Sequence, residues 1–290
     1  MEIRAKLIYN ENVNLIEKIY YSLFKYIFSL CMLYKYILNF LKLNYGKYTG
    51  VIYHISNLYL FFVDYKKIFF KIKINNISFF MKTISLKNFS IMLIEDIEGY
   101  FLYNDIKKGD IVIDAGAYIG LFTLYASKKV GKNGLVIAYE PDPENYKNLL
   151  ENIKLNKCKN VKLIKRGIFS KNDILYFQEN DGSSTFIFDK NKIKNSKKII
   201  KVPVSSLDSD MKKLGIKKID FLKADIEGSE IEMIKGAKNI LMNSNAKLAI
   251  AAYHKVNNKI TAPIVADELK KLGYKTKIDY KTHLTVYAWK

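Results

Sequence analysis

Short apolar runs alternate with helical stretches over the second part of the chain. Ile111 to Ala115, Leu135 to Tyr139, Val161 to Lys165, Ile219 to Lys223 and Lys247 to Ala251 are apolar and too short for buried helices, so they predict strands. Gly120 to Val130, Pro143 to Asn156 and Ser229 to Asn239 predict helices between them. Near-continuous apolar strands separated by helices point to a parallel sheet covered on both faces. Tyr274 to Ile278 and Leu284 to Ala288 predict a closing strand pair.

The pattern before Asp110 is different. Residues 13–43 read as a helix with Lys18, Ser22, Lys25, Ser29, Lys35, Asn39 and Lys42 on one side and aromatic and aliphatic residues on the other. Its longest uncharged run, Tyr26 to Tyr34, is about half of a bilayer-spanning helix. Such a face either packs on its own protein or lies at an anionic membrane surface. From Leu58 to Thr83, apolar residues interleave with lysine around Asn75-Asn76, which predicts a β-hairpin. Asn88 to Asn104 resembles a helix leading to the Lys108-Gly109-Asp110 turn. The expected division is an N-terminal extension over 1–95 and a larger domain over 96–290.

Composition narrows the class. With 49% hydrophobic and 26% charged residues among 290, the chain is apolar enough to fold around a large core. The net charge of +20 is almost all lysine. Arginine, whose planar fork reads phosphates and bases, occurs only at Arg4 and Arg166, so a solvated lysine surface is favoured over a nucleic-acid site. Cys31 and Cys158 form neither a disulfide framework nor a metal spacing, and no cleavable leader pattern opens the chain. A cytoplasmic location is expected, with peripheral contact at the inner membrane face as the alternative role of the helix.

Candidate chemistry begins at Ile111-Val-Ile-Asp114-Ala-Gly116-Ala117-Tyr-Ile-Gly120: a buried strand, a glycine turn, then a helix. Open α/β sheets bind nucleotide-like ligands at such strand ends. A dinucleotide would place its pyrophosphate there and normally uses G-x-G-x-x-G, which is absent. Asp114 would repel a pyrophosphate and attract a methionine ammonium, favouring S-adenosylmethionine over NAD. Gly116 permits close backbone approach and Gly120 close helix packing. Glu140, in Tyr139-Glu140-Pro141-Asp142 at the next strand end, can accept hydrogen bonds from both ribose hydroxyls.

A second acidic cluster, Asp220-Phe-Leu-Lys223-Ala-Asp225-Ile-Glu227-Gly228-Ser-Glu230, follows the fourth strand. Glu230 suits the first turn of a helix. Asp225 and Glu227 precede it, where an acceptor would meet a sulfonium methyl. Together with V-I-D-A-G-A-Y-I-G at 112–120, Y-E-P-D-P at 139–143 and V-P-V-S-S-L-D at 202–208, the segment resembles the FkbM-type S-adenosylmethionine-dependent methyltransferases over about residues 90–290. The resemblance implies a class I methyltransferase sheet, Rossmann-like and mostly parallel with an antiparallel closing strand, and O-methylation of a hydroxyl on a sugar, glycan or related small molecule. It places Asp114, Gly116 and Gly120 at the methionine end of the cofactor, Glu140 at the ribose and Asp142 near the adenine, with Ala117 and Pro141 also cofactor-binding. Lys223, Asp225 and Glu227 would line the reaction centre. His254 stands where similar proteins often carry a histidine after an acid, here replaced by Tyr253, and is a candidate general base needing an orienting partner from elsewhere, such as Asp225 or Glu227.

Two alternatives are an RNA methyltransferase, which the charge would suit but which lacks an N-P-P-Y-like motif or an RNA module, and a non-catalytic S-adenosylmethionine-binding scaffold at a membrane. The polar stretch Asp181-Gly-Ser-Ser-Thr185 reads as a loop near the acceptor, and His54 and His283 as structural. No His or Cys cluster demands a metal, so none is assigned.

Overall fold

The computed structural model describes residues 3–9, 68–82, 97, 99–178, 185–187, 199–256, 259–281 and 283–290. The chain divides into two compact units, Met1–Leu93 and Ile94–Lys290. In the first, β1 (Ile3–Tyr9), β2 (Ile68–Ile74) and β3 (Ile77–Lys82) form an antiparallel sheet in that order. The predicted hairpin is β2–β3, turning at Asn75 and Asn76, with Asn75 left-handed at φ 51°. The side-chain period of two buries Ile72, Ile74, Phe79 and Met81 and exposes Lys71 and Lys73. The pairing of β1 with β2 across more than fifty intervening residues has no local signal. The helix expected over 13–43 lies outside the described residues. Of the one expected over 88–104, residues 97 and 99 are helical and the chain turns away at Tyr100.

The second unit is built on β4 (Ile111–Ala115), α1 (Leu121–Val130), β5 (Leu135–Tyr139), α2 (Pro143–Leu155) and β6 (Val161–Ile164). There follow β7 (Gly167–Ile168), β8 (Asp173–Gln178), β9 (Thr185–Ile187), β10 (Ile199–Ser205) and α3 (Leu207–Lys213). The chain continues through β11 (Phe221–Ala224), α4 (Glu230–Lys235), α5 (Lys238–Asn243) and β12 (Lys247–Ala251). It closes with β13 (Lys255–Val256), β14 (Lys259–Ile260), α6 (Ala262–Lys271), β15 (Lys275–Asp279) and β16 (Thr285–Trp289). Seven strands form the central sheet in the order β15-β16-β12-β11-β4-β5-β6, with β16 antiparallel to both neighbours and the other pairings parallel. The strand order reverses between β4 and β11, which opens a crevice at their carboxyl ends.

Alternate residues of the apolar strands feed two cores. Val112, Val136, Phe221, Ala249 and Tyr287 pack with Phe122 and Ala126 of α1, while Ile113, Ile137, Leu222, Leu248 and Ala288 pack with Met233, Ile234, Val265 and Leu269. This two-sided burial is why the strands carry no polar alternation.

Between β6 and α3, where no strands were expected, β7, β10, β8 and β9 form a separate four-stranded sheet in that order. One prediction needs correction. The single helix expected over Ser229 to Asn239 is two, because Gly236 lies against the Phe169 main chain, where a Cβ would come within 2.1 Å of its carbonyl oxygen. The Gly236 carbonyl is meanwhile drawn off by the Asp208 amide at 2.9 Å.

The 202–208 motif stitches these pieces together. Ser205 donates to the buried Asp210, and Ser206 caps α3. Asp208 accepts from the amides of Asn239 (3.0 Å) and Ile240 (2.8 Å), capping α5, whose own N-cap residue is Ala237. Asp208→Ala is expected to cost about 1–2 kcal/mol in urea unfolding, with Asp208→Asn milder because one acceptor remains. Equal losses in the two variants would rule out capping as the cause.

Candidate active site

The site grows from the two strand ends that flank the crevice. After β4 the backbone is left-handed at Gly116 (φ 77°), Tyr118 (φ 52°) and Gly120 (φ 100°), which swings the chain sharply into α1. Gly116 is required by contact as well as by φ: a Cβ there would lie 1.9 Å from the Asp225 carbonyl oxygen, so the turns after β4 and β11 touch. At Gly120 a Cβ would meet the Leu149 side chain of α2 at 2.5 Å. The amides of Gly116 and buried Ala117 donate to the Tyr139 carbonyl, at 3.1 Å and 2.9 Å, and tie the turn to β5.

Asp114 is fully buried. Thr123 Oγ1 donates to one carboxylate oxygen at 2.5 Å, and Lys223 Nζ lies 3.2 Å from the other, as an ion pair rather than an aligned hydrogen bond. Lys223 also donates to the Gly116 carbonyl at 2.6 Å and rests over the rings of Tyr100 and Phe122. The Asp114 carboxylate therefore shapes the turn through Lys223 and meets an ammonium of the protein where the sequence suggested one of a cofactor.

Glu140, 5% exposed, accepts the Tyr118 amide at 2.7 Å and the Asp142 amide at 2.9 Å. Burial pushes its carboxyl up to about 8, although both amide bonds and Lys223 favour the charged form. Pro141 is partly exposed between them. Asp142 is the N-cap of α2, one oxygen accepting from the Glu144 and Asn145 amides.

At the β11 end, Asp225 accepts from Tyr100 Oη at 3.1 Å and from Tyr253 Oη at 3.3 Å. His254 follows β12, its ring nine-tenths buried. Its Nε2 lies 3.3 Å from Glu227 and 3.7 Å from Asp225, and its Nδ1 lies 2.9 Å from Glu230. Glu227, at φ 54°, turns the backbone so that its carboxylate faces the histidine. Burial pulls the His254 imidazole down, but Glu227, Glu230 and Asp225 outweigh it and carry it up to about 10. The three acids thus favour the protonated form of the ring.

The fold thus brings Lys223, Asp225, Glu227 and His254 to one edge of the sheet, beside the turn carrying Asp114, Gly116, Ala117 and Gly120, with Glu140, Pro141 and Asp142 one strand further along. Three contributors escaped sequence reasoning. Glu230 does stand in the first turn of α4, but its fully buried carboxylate is turned back onto His254 and the Gly228 amide. Tyr253 occupies the position where an acid was expected and supplies a hydroxyl to Asp225. Tyr100 reaches Asp225 from 125 positions away, which no local pattern could show. His283 stacks edge-on to Tyr100 at 5.1 Å, beside the site. Of the stretch 181–185, only Thr185, the start of β9, falls among the described residues.

Residues 114–276 match the family described as "Methyltransferase FkbM domain". The chain is 30% identical over 187 residues to "Methyltransferase sdnD" of Sordaria araneosa, covering 51% of this chain and 72% of that protein. It is 26% identical over 144 residues to "Methyltransferase 1" of Beauveria bassiana (strain ARSEF 2860), covering 43% of this chain and 57% of that one. A solved structure of the methyltransferase FkbM from Methylobacillus flagellatus KT is similar at a TM-score of 0.48 and 18% identity, over 70% of this chain and half of that one.

Proposed function

We propose, since this chain belongs to the FkbM family of S-adenosylmethionine-dependent methyltransferases, that it methylates a hydroxyl of a sugar, glycan or related small molecule, with the methyltransferase domain over 96–290. The observation that carries this reading is the contact between the two turns: the Asp225 carbonyl lies against Gly116, so the acid cluster borders the cofactor turn. The residues fit the cofactor. Glu140 keeps acceptor capacity beyond its two amide bonds for a pair of ribose hydroxyls, and the acidic crevice suits a cation better than a pyrophosphate.

When bound, S-adenosylmethionine supplies a methyl group already activated on a sulfonium. Asp225, Glu227 and His254 would hold the acceptor hydroxyl in line with that carbon, and Lys223 fixes the Gly116 carbonyl beside it. A carboxylate of the cluster would take the hydroxyl proton as the acceptor oxygen receives the methyl group, S-adenosylhomocysteine being the by-product. Among the described residues no helix is long and apolar enough to cross a membrane. Residues 13–43 are proposed as a peripheral membrane contact that would favour a lipid-linked acceptor.

The test offers methyl-labelled cofactor with a panel of glycans and, separately, total RNA. Alkali-stable label in a glycan is expected. Label in RNA alone would replace this reading with nucleic-acid methylation.

A further inference from the structure

We propose that Asp225, Glu227 and His254 form a binding site for one divalent first-row transition cation. No spacing in the sequence announces it, because the ligands come from two strand ends and meet only in the fold. One oxygen of each carboxylate and one imidazole nitrogen lie within 4.8 Å of one another. His254 Nε2 is 3.3 Å from Glu227 Oε2 and 3.7 Å from Asp225 Oδ1. With metal–ligand bonds of roughly 2.0–2.2 Å, adjacent donors in a tetrahedral or octahedral shell sit roughly 3–3.5 Å apart, so small side-chain adjustments close the shell.

A separate observation concerns the histidine itself. Its ring is nine-tenths buried and aimed between the two carboxylates, yet among the described residues neither nitrogen makes an aligned hydrogen bond. Behind it, Glu230 is fully buried, anchored by the Gly228 amide at 3.0 Å and placed 2.9 Å from Nδ1. A carboxylate behind one ring nitrogen is the arrangement that fixes the tautomer and presents the other nitrogen to a metal. Asp225 is likewise steadied from behind by Tyr100 and Tyr253.

The donor set selects the ion class. One imidazole with two carboxylates and no sulfur suits Mn²⁺, Fe²⁺, Co²⁺ or Zn²⁺ better than Ca²⁺ or Mg²⁺. Glu227 is 34% and Asp225 21% exposed at the side chain, so the shell is open on the solvent side. Resting on the function proposed above, that open side would take the acceptor oxygen, and the cation would ease loss of its proton.

The test titrates chelator-stripped full-length protein with Mn²⁺, following the free ion by electron paramagnetic resonance, with S-adenosylhomocysteine calorimetry on the same samples. One Mn²⁺ per chain is expected. Binding should weaken at least about tenfold in Glu227→Gln and in His254→Ala, and about tenfold in Glu230→Gln, a positioning residue that acts only through His254. Homocysteine-cofactor binding should persist in all three, which shows an intact fold. Absence of Mn²⁺ binding in wild-type protein that binds S-adenosylhomocysteine, or undiminished binding in Glu227→Gln, overturns the site. Mn²⁺ binding without S-adenosylhomocysteine binding would keep the cation site and remove the functional reading.

Discussion

Lys223→Met is expected to destabilise the protein by about 3–5 kcal/mol, because it leaves the Asp114 carboxylate charged and fully buried with only Thr123 as a close partner. For a unit of this size that corresponds to a fall in Tm of roughly 6–20 °C. Methionine preserves the apolar stem over Tyr100 and Phe122, so lost packing is a minor part. The loss of the bond to the Gly116 carbonyl adds about 1 kcal/mol. The decisive comparison is Lys223→Met with Asp114→Asn, which removes both charges while asparagine can still accept from Thr123. The double variant should recover most of the stability, since a buried ion pair replaced as a pair is often close to neutral. A double variant no more stable than Lys223→Met would mean that the ammonium matters for the turn alone and not for neutralising Asp114.

That ion pair marks where the sequence stops being legible. The strand and helix pattern from Ile111 onward is readable because a sheet covered on both faces demands short apolar runs, and β4, β5 and β12 fall where those runs do. The residues at the strand ends are readable for the same reason, since chemistry at a switch point is confined to a few positions. What each carboxylate faces is a matter of tertiary contact. Asp114 stands at the expected strand end, yet the ammonium it meets comes from β11. Asp142, expected near the adenine, also caps α2, a role that an aspartate directly before Pro143 signals. The four-stranded sheet of β7 to β10 was missed because its strands are short and set among polar connections rich in lysine and asparagine. Even so, Ile199-Ile-Lys-Val-Pro-Val alternates well enough to have been read as an edge-like strand. His254 was expected to draw an orienting partner from Asp225 or Glu227; Glu230 joins them 2.9 Å from Nδ1, a contact made only in the fold.

S-adenosylhomocysteine should bind more tightly as the pH rises through about 8, and Glu140 is the reason. Burial holds its carboxyl up to about 8 in the protein without ligand, so near pH 7 most molecules carry a proton there. Two ribose hydroxyls donating to this carboxylate favour its ionised form, so binding expels the proton, and affinity should rise about tenfold from about pH 7 to about pH 9. Calorimetry near pH 7 in buffers of different ionisation enthalpy should register release of nearly one proton per ligand. The sign for folding is opposite to that for binding. A carboxyl raised above its unfolded value of 4.5 contributes stability that is full below that value and lost as the pH climbs through about 8. Glu140→Gln cannot ionise, so it should bind more weakly, show no proton release from this position and lose stability less steeply over the same range. The ligand's own ammonium titrates towards the alkaline end, and its slope is common to both proteins, so the difference between them isolates Glu140. Identical pH slopes in wild type and variant would place the ribose elsewhere and leave Glu140 as a brace between Tyr118 and Asp142.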